Sequence, residues 1–141
     1  MMISPVSYKP FNNVISFKAN NPVIRDAIGV SRMLDKNGYV KTEQGYYNFI
    51  HSEIEELKEA KLKNDYANMH EEIGDILFDT IMLADYYKVD PAKALADTNT
   101  KIKSRIKIAQ TVAKKPLIEY PLEQRLMFWE IAKAELKEKQ A

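Results

Sequence analysis

Four carboxylates in the middle of the chain have the spacing expected of a metal site. Glu53 and Glu56 are three residues apart, and Glu72 and Asp75 repeat that spacing further along. Residues three or four apart share a face of an α-helix, so each pair can project in one direction. Oxygen ligands suit Mg²⁺, and Mn²⁺ accepts the same donors. The spacing therefore favours a Mg²⁺ site in which Mn²⁺ can substitute.

The first of these segments places its carboxylates on faces of different character. At about 100° per residue, Glu53 falls in line with Tyr46 and Ala60, whereas Glu55 and Glu59 fall on the opposite side. A buried carboxylate is costly unless it is paired, protonated or bound to a metal. A lysine could pair with any single Glu, but several carboxylates on two apolar stripes favour a metal.

A fifth carboxylate, Asp79, lies one helical turn beyond Asp75 and shares a stripe with Met69 and Ile76. We expect it to support the metal ligands from behind. The segment around it is apolar on nearly all sides, which predicts a central, buried helix.

The composition excludes several other kinds of site. The chain has 141 residues, a formal net charge of +1, no Cys and two His. This charge gives no general attraction to a nucleic-acid polymer or a membrane, and disulfide or thiolate chemistry is absent. No apolar run approaches the roughly 18 residues of a membrane span. We therefore expect a cytoplasmic protein.

Local capping signals predict five helices. Asn21-Pro22 and Asp90-Pro91 each combine a capping residue with proline at the first helical position. We expect residues 1–20 to form a flexible arm and residues 21–141 one all-α domain, an antiparallel bundle of four core helices plus a C-terminal helix. The predicted helices cover about 22–36, 43–63, 65–88, 91–113 and 122–139.

The fourth predicted helix combines an apolar stripe with two basic residues. Lys101 and Arg105 lie four residues apart and project from one face beside the stripe. We expect the stripe to be buried; it consists of Ala94, Leu95, Thr98, Ile102, Ile106 and Ala109.

The acidic pattern resembles that of the MazG-like all-α nucleoside triphosphate pyrophosphohydrolases, which carry ExxE…ExxD on two helices. It reads Glu53-Ile54-Glu55-Glu56 and Glu72-Ile73-Gly74-Asp75 here, and the resemblance extends from about Val23 to Lys139. It implies Mg²⁺-dependent hydrolysis of a (d)NTP to the (d)NMP and pyrophosphate, in a role such as removing non-standard nucleotides. The four carboxylates would be the metal ligands, and Glu53 or Glu56 would also be the catalytic base.

The same resemblance implies substrate contacts outside the acidic helices. Lys101 and Arg105 have the K-x-x-x-R spacing that the family places against the phosphates. The other implied contacts are Asn99 near that pair, Gln44 before the first acidic pair, and Trp129 and Lys133 in a Trp-x-x-x-Lys tail. The chain departs from the bacterial pattern where Ile106-Lys107-Ile108 replaces a His-Pro-His segment, which leaves the substrate preference open.

MazG-like proteins form dimers or tetramers in which neighbouring chains help to build each site, so a homodimer or homotetramer is expected. Phosphoribosyl-ATP pyrophosphohydrolase shares the bundle and the acidic helices, but the Trp129 tail and the longer chain argue against it. A catalytically silent helical interaction module is a further alternative. A di-iron bundle needs Glu-x-x-His on two helices, and neither His51 nor His70 completes that motif.

Overall fold

The computed structural model describes residues 21–39 and 42–140, which form α-helices and one short 3-10 helix without any strand. The helices are α1 (Pro22–Lys36), α2 (Glu43–Leu62), α3 (Tyr66–Tyr86), α4 (Pro91–Val112), the 3-10 helix (Leu117–Glu119) and α5 (Leu122–Gln140). The all-α fold and the predicted helices are confirmed, with bounds that differ by a residue or two. The predicted arm, residues 1–20, lies outside the described residues. Within the described part, no helix has the length and apolar character needed to cross a membrane.

The predicted caps begin the helices. The Asn21 side chain accepts a hydrogen bond from the Val23 N–H at 3.0 Å, and Asp90 accepts one from the Ala92 N–H at 2.9 Å. Each of these side chains satisfies donors that the first helical turn leaves unpaired. The capping geometry is local, so the sequence was sufficient to predict it.

Helices α2 and α3 form an antiparallel hairpin joined by the polar turn at residues 63–65. Tyr46 from α2 and Met82 from α3 are almost fully buried between them, with Leu34, Phe78 and Leu83 packed around. This packing fixes the register of the two helices and therefore determines which of their side chains lie opposite one another.

Helix α1 packs against α3 and is held by polar contacts as well. Arg32 donates to Asp85 through Nε at 3.2 Å and Nη2 at 2.8 Å. The Tyr46 hydroxyl donates to Asp35 at 2.9 Å, which joins α1 to α2. The Arg32 guanidinium lowers the pKa of the Asp85 carboxyl, so this pair remains ionised in the folded protein.

Helices α4 and α5 form a second hairpin, which meets α3 over only a short stretch. Small buried residues, Ala109, Ala113 and Ala132, allow its two helices to approach closely. The loop between them is tied back by the Gln110 side chain, which accepts from the Leu117 N–H at 3.2 Å.

The expectation that the apolar stripe of α4 is buried is wrong for a single chain. Leu95, Ile102 and Ile106 are 51%, 39% and 50% exposed, and only Ala109 of that stripe is buried. Helix α3 also contacts α1, α2 and α4, as expected for a central helix, but Ile73 and Leu77 on it remain exposed. Helical periodicity shows which residues share a face, but burial depends on what packs against that face.

Candidate active site

Three carboxylates converge where α2 and α3 pack together. Glu53, Glu56 and Glu72 each offer a carboxylate oxygen, and these oxygens all lie within 4.8 Å of one another. Glu72 is buried, Glu53 is half-buried and Glu56 is exposed. The Ser52 hydroxyl donates to Glu56 at 3.2 Å. The structure thus brings together three of the four predicted ligands.

The electrostatics of this trio favour a positive ion. Burial is the largest cause that raises the pKa of Glu53 to about 7, followed by its hydrogen bond with Glu72 and by the negative charges of Glu56, Asp75 and Asp79. In the metal-free protein, a proton on Glu53 relieves the repulsion between neighbouring carboxylates. A divalent cation would relieve it more completely, and the donors are the hard oxygens that such cations prefer. The residues therefore fit a metal site.

Asp75 and Asp79 lie at the margin of the trio. Asp75 is exposed and is not among the three converging side chains, although its charge raises the pKa of both Glu53 and Asp79. Asp79 is buried, and burial is the main reason that its pKa rises to about 6. Its position is compatible with the predicted supporting role, and the roles of both residues stay predictions.

Two other carboxylates of α2 near the first pair, Glu55 and Glu59, point away from the trio. Glu55 accepts from Lys58 at 2.6 Å, and Glu59 lies 3.8 Å from the Lys63 ammonium, both on the exposed surface. The helical phasing that separated them from Glu53 is therefore confirmed.

A cationic groove of about 370 Å³ lies between α4 and α5. Three residues predicted to contact substrate, Lys101, Arg105 and Lys133, line it together with Lys137. Sequence reasoning missed Lys137, although its position four residues beyond Lys133 places it on the same face. Glu130 is the one carboxylate among the described residues that line the groove, and it accepts from Lys133 at 3.1 Å.

Trp129 supports this groove from the side. The Arg105 guanidinium lies 5.7 Å from the centre of the Trp129 ring, which is a cation–π contact. Because the ring restrains the arginine, Trp129 has a packing role in the structure. Its predicted role in contacting the substrate is not tested by this contact.

The other two predicted substrate contacts lie outside the groove. Gln44 is exposed near the start of α2, where it donates to Asn48 at 2.9 Å. Asn99 is exposed on α4 and does not line the groove. None of the five carboxylates lines it either, so the acidic trio lies on the α2–α3 hairpin and the cationic groove on the α4–α5 hairpin.

Comparison with known proteins agrees with the geometry. Residues 41–109 match the MazG nucleotide pyrophosphohydrolase domain, a stretch that contains all five carboxylates, Lys101 and Arg105. The chain is 34% identical over 121 residues to the nucleoside triphosphate pyrophosphohydrolase/pyrophosphatase MazG of Thermotoga maritima, an alignment that covers 80% of this chain and 46% of that protein. It is 36% identical over 69 residues to the uncharacterized protein YabN of Bacillus subtilis, which covers 47% of this chain and 14% of that protein.

The chain spans less than half the length of either curated relative. No solved structure matches it significantly. The acidic motif, the helical fold and the matched domain agree with one another, and together they support a MazG-like family for this chain.

Proposed function

We propose that this chain hydrolyses the α–β anhydride of a (d)NTP, releasing the (d)NMP and pyrophosphate. The observation that carries the proposal is the convergence of three carboxylates from two helices within 4.8 Å, in a stretch that matches a nucleotide pyrophosphohydrolase domain. A catalytically silent module would have no need to hold like charges together at a cost in stability.

The metal that we propose for this site is Mg²⁺, with Mn²⁺ as a substitute. Glu53, Glu56 and Glu72 would hold it, and the exposed Asp75 would be the fourth ligand. When bound, the ion would neutralise phosphate charge that carboxylates alone would repel. Asp79 would hold this ligand set in place from the buried side of α3.

The protein's own acid–base contribution would come from Glu53 or Glu56. Attack by water forms a new P–O bond at the α-phosphorus and breaks the α–β bridge, so that pyrophosphate leaves. The proton lost by the water must be accepted nearby, and a carboxylate that lies beside the attacking water can accept it.

The cationic groove would bind the phosphates that extend beyond the acidic site. Lys101 and Arg105 would supply charge-assisted hydrogen bonds, and Trp129 would keep the guanidinium oriented. Lys133 would take part after exchanging its contact with Glu130 for one with the substrate. Gln44 and Asn99 would require a substrate that reaches beyond this groove.

The proposed assembly is a homodimer or homotetramer with the substrate pocket near a subunit boundary. The exposed apolar residues of α3 and α4, among them Leu77, Leu95 and Ile106, support an interface. Two-fold contact between copies could bring the acidic hairpin of one chain to the cationic hairpin of its partner. Such an arrangement accounts for the separation of the two groups within one chain.

A substrate panel tests the activity. With Mg²⁺, wild type should release pyrophosphate, rather than orthophosphate, from NTPs and dNTPs. The rate with Mn²⁺ should be equal or lower, and EDTA should stop the reaction. Millimolar Mg²⁺ should also raise the melting temperature, because an ion that binds only the folded state stabilises it. A folded protein with neither turnover nor a Mg²⁺-dependent melting temperature would favour the interaction module.

A further inference from the structure

A second cavity, of about 380 Å³, lies where the start of α1, the end of α3 and the start of α4 meet. Its charged lining consists of three cations, Arg25, Arg32 and Lys88, and two carboxylates, Asp85 and Asp90. None of the carboxylates of the candidate active site lines it. The proposed hydrolysis does not use this cavity.

Both carboxylates in the lining already have partners. Asp85 accepts two hydrogen bonds from Arg32, and Asp90 accepts from the N–H groups of Ala92 and Lys93 at 2.9 and 3.1 Å. Lys88 also acts on Asp85, because its charge contributes to the lowered pKa of that carboxyl. Arg32 and Lys88 therefore both act on one carboxylate, and the charged lining holds three cations against two carboxylates.

The Arg32 side chain is held in position to receive a ligand. Its hydrogen bonds to Asp85 use Nε and Nη2, and the side chain is 68% exposed. A guanidinium has five N–H donors in a rigid plane, so further donors remain for an oxygen-rich anion. The ion pair fixes the plane from which those donors project.

Lys88 occupies an unusual backbone position. Its φ is 59°, in the left-handed region that favours glycine, and the Val89 N–H bonds to the Ala84 carbonyl at 2.9 Å to close the end of α3. Glycine would adopt this turn without steric cost. A lysine there adds a positive charge to the lining of the cavity, which gives the unfavourable backbone a use.

We propose that this cavity binds a phosphate-class oxyanion through Arg32 and Lys88, with Arg25 at its edge. The surplus charge, the oriented guanidinium and the lysine on a left-handed turn together support this assignment. A bound anion would link α1 and the end of α3 to the start of α4. It would thereby brace the hairpin that carries the cationic groove against the part that carries the carboxylates.

Calorimetric titration with inorganic pyrophosphate, at constant ionic strength in buffer containing EDTA, tests the site. Without a divalent ion the acidic trio repels the probe, so the trio does not contribute to the binding, and a Lys101→Gln variant separates any binding in the α4–α5 groove. Wild type should bind, and Lys88→Asn should raise the Kd at least about tenfold, the scale of one charge-assisted contact. Asn tolerates the left-handed turn, so this variant removes the charge without imposing new strain. Orthophosphate, titrated in parallel, shows whether one phosphate group is sufficient.

The matched control is Lys107→Gln, which removes a charge from an exposed part of α4 outside both this cavity and the α4–α5 groove, and it should leave the Kd unchanged. The proposal is overturned if wild type produces no binding heat, or if Lys88→Asn binds as wild type does. If Lys101→Gln binds pyrophosphate more weakly and Lys88→Asn does not, the anion binds in the α4–α5 groove instead.

Discussion

Glu55 and Glu56 are neighbours in the chain, yet their side chains have different surroundings. Glu56 belongs to the converging trio, whereas Glu55 pairs with Lys58 on the surface. We predict that Glu56→Gln lowers kcat by about 10²–10⁴-fold, the range for loss of a positioned acid–base group, while the fold is retained. Glu55→Gln is the control and should be mild in the same pyrophosphate-release assay. Equal losses in the two variants would contradict the assignment.

Protonation of Glu53 and Asp79 should make the metal-free protein sensitive to pH. Folding raises the Glu53 pKa from 4.5 to about 7 and the Asp79 pKa from 3.8 to about 6. The folded state then holds more protons than the unfolded state between these values, so stability should fall as the pH rises from about 4.5 to 7. The lowered pKa of Asp85 acts in the opposite direction, but its contribution is complete above 3.8 and lies outside this window.

Thermal melts in EDTA across that pH range provide the measurement. Glu53→Gln should flatten the decline, and Mg²⁺ added at pH 8 should restore stability to wild type but little to the variant. If the melting temperature of Glu53→Gln falls with pH as steeply as that of wild type, the pKa of Glu53 is not raised by folding.

The sequence predicted which carboxylates share a face of a helix, but it could not predict the distances between carboxylates on different helices. The spacing of Glu53 and Glu56 and the outward direction of Glu59 follow from the helical period alone. The hydrogen bond between Glu53 and Glu72 depends on the register of two helices, which is set by the packing of Tyr46 against its neighbours on α3. For the same reason the position of Asp75 outside the converging trio could not be anticipated.

Among the elements, the α4–α5 hairpin shows how small residues determine the approach of two helices. Ala132 is fully buried at this contact. We predict that Ala132→Leu destabilises the protein by about 1–3 kcal/mol, because extra methyl groups in a filled contact force the helices apart. Ala96→Leu, on an exposed face of α4, should be close to neutral. Denaturant unfolding measures both, and equal midpoints would show that the contact can accommodate the larger side chain.

The cationic face of the same hairpin makes a separate prediction for catalysis. Lys101→Ala and Arg105→Ala should each reduce kcat/KM by the equivalent of about 1–3 kcal/mol, the scale of a charge-assisted contact. Lys107 does not line the groove and supplies the control. If Arg105→Ala and Lys107→Ala have the same kinetics, the groove has no part in binding the phosphates.

Helix positions were predictable because their signals are local, whereas the environment of each helix was not. The Asn21 and Asp90 caps indicate where α1 and α4 begin whatever packs around them. The exposure of Ile102 could not be predicted from such local signals. Periodicity identifies an apolar face of a helix, but it does not show which element packs against that face.

For the whole molecule, the exposed apolar residues predict an assembly larger than one chain. Light scattering should give a mass of at least twice the 16.3 kDa of the chain. Ile106→Asp should dissociate the assembly and lower activity, because it places a charge in the proposed interface. Ile118→Asp, which changes an equally apolar residue on the 3-10 helix that is 77% exposed, is the matched control. A fully active species of single-chain mass would rule out the shared pocket.

The short contact between α3 and α4 also has a consequence for local unfolding. Two hairpins that each pack internally, and that share little surface, can open as separate cooperative units. Amide hydrogens of α4 and α5 should therefore exchange together, at a rate set by their own packing and not by that of α2 and α3. A nucleotide that contacts both hairpins would couple the two units. Its binding would then slow amide exchange in both hairpins together.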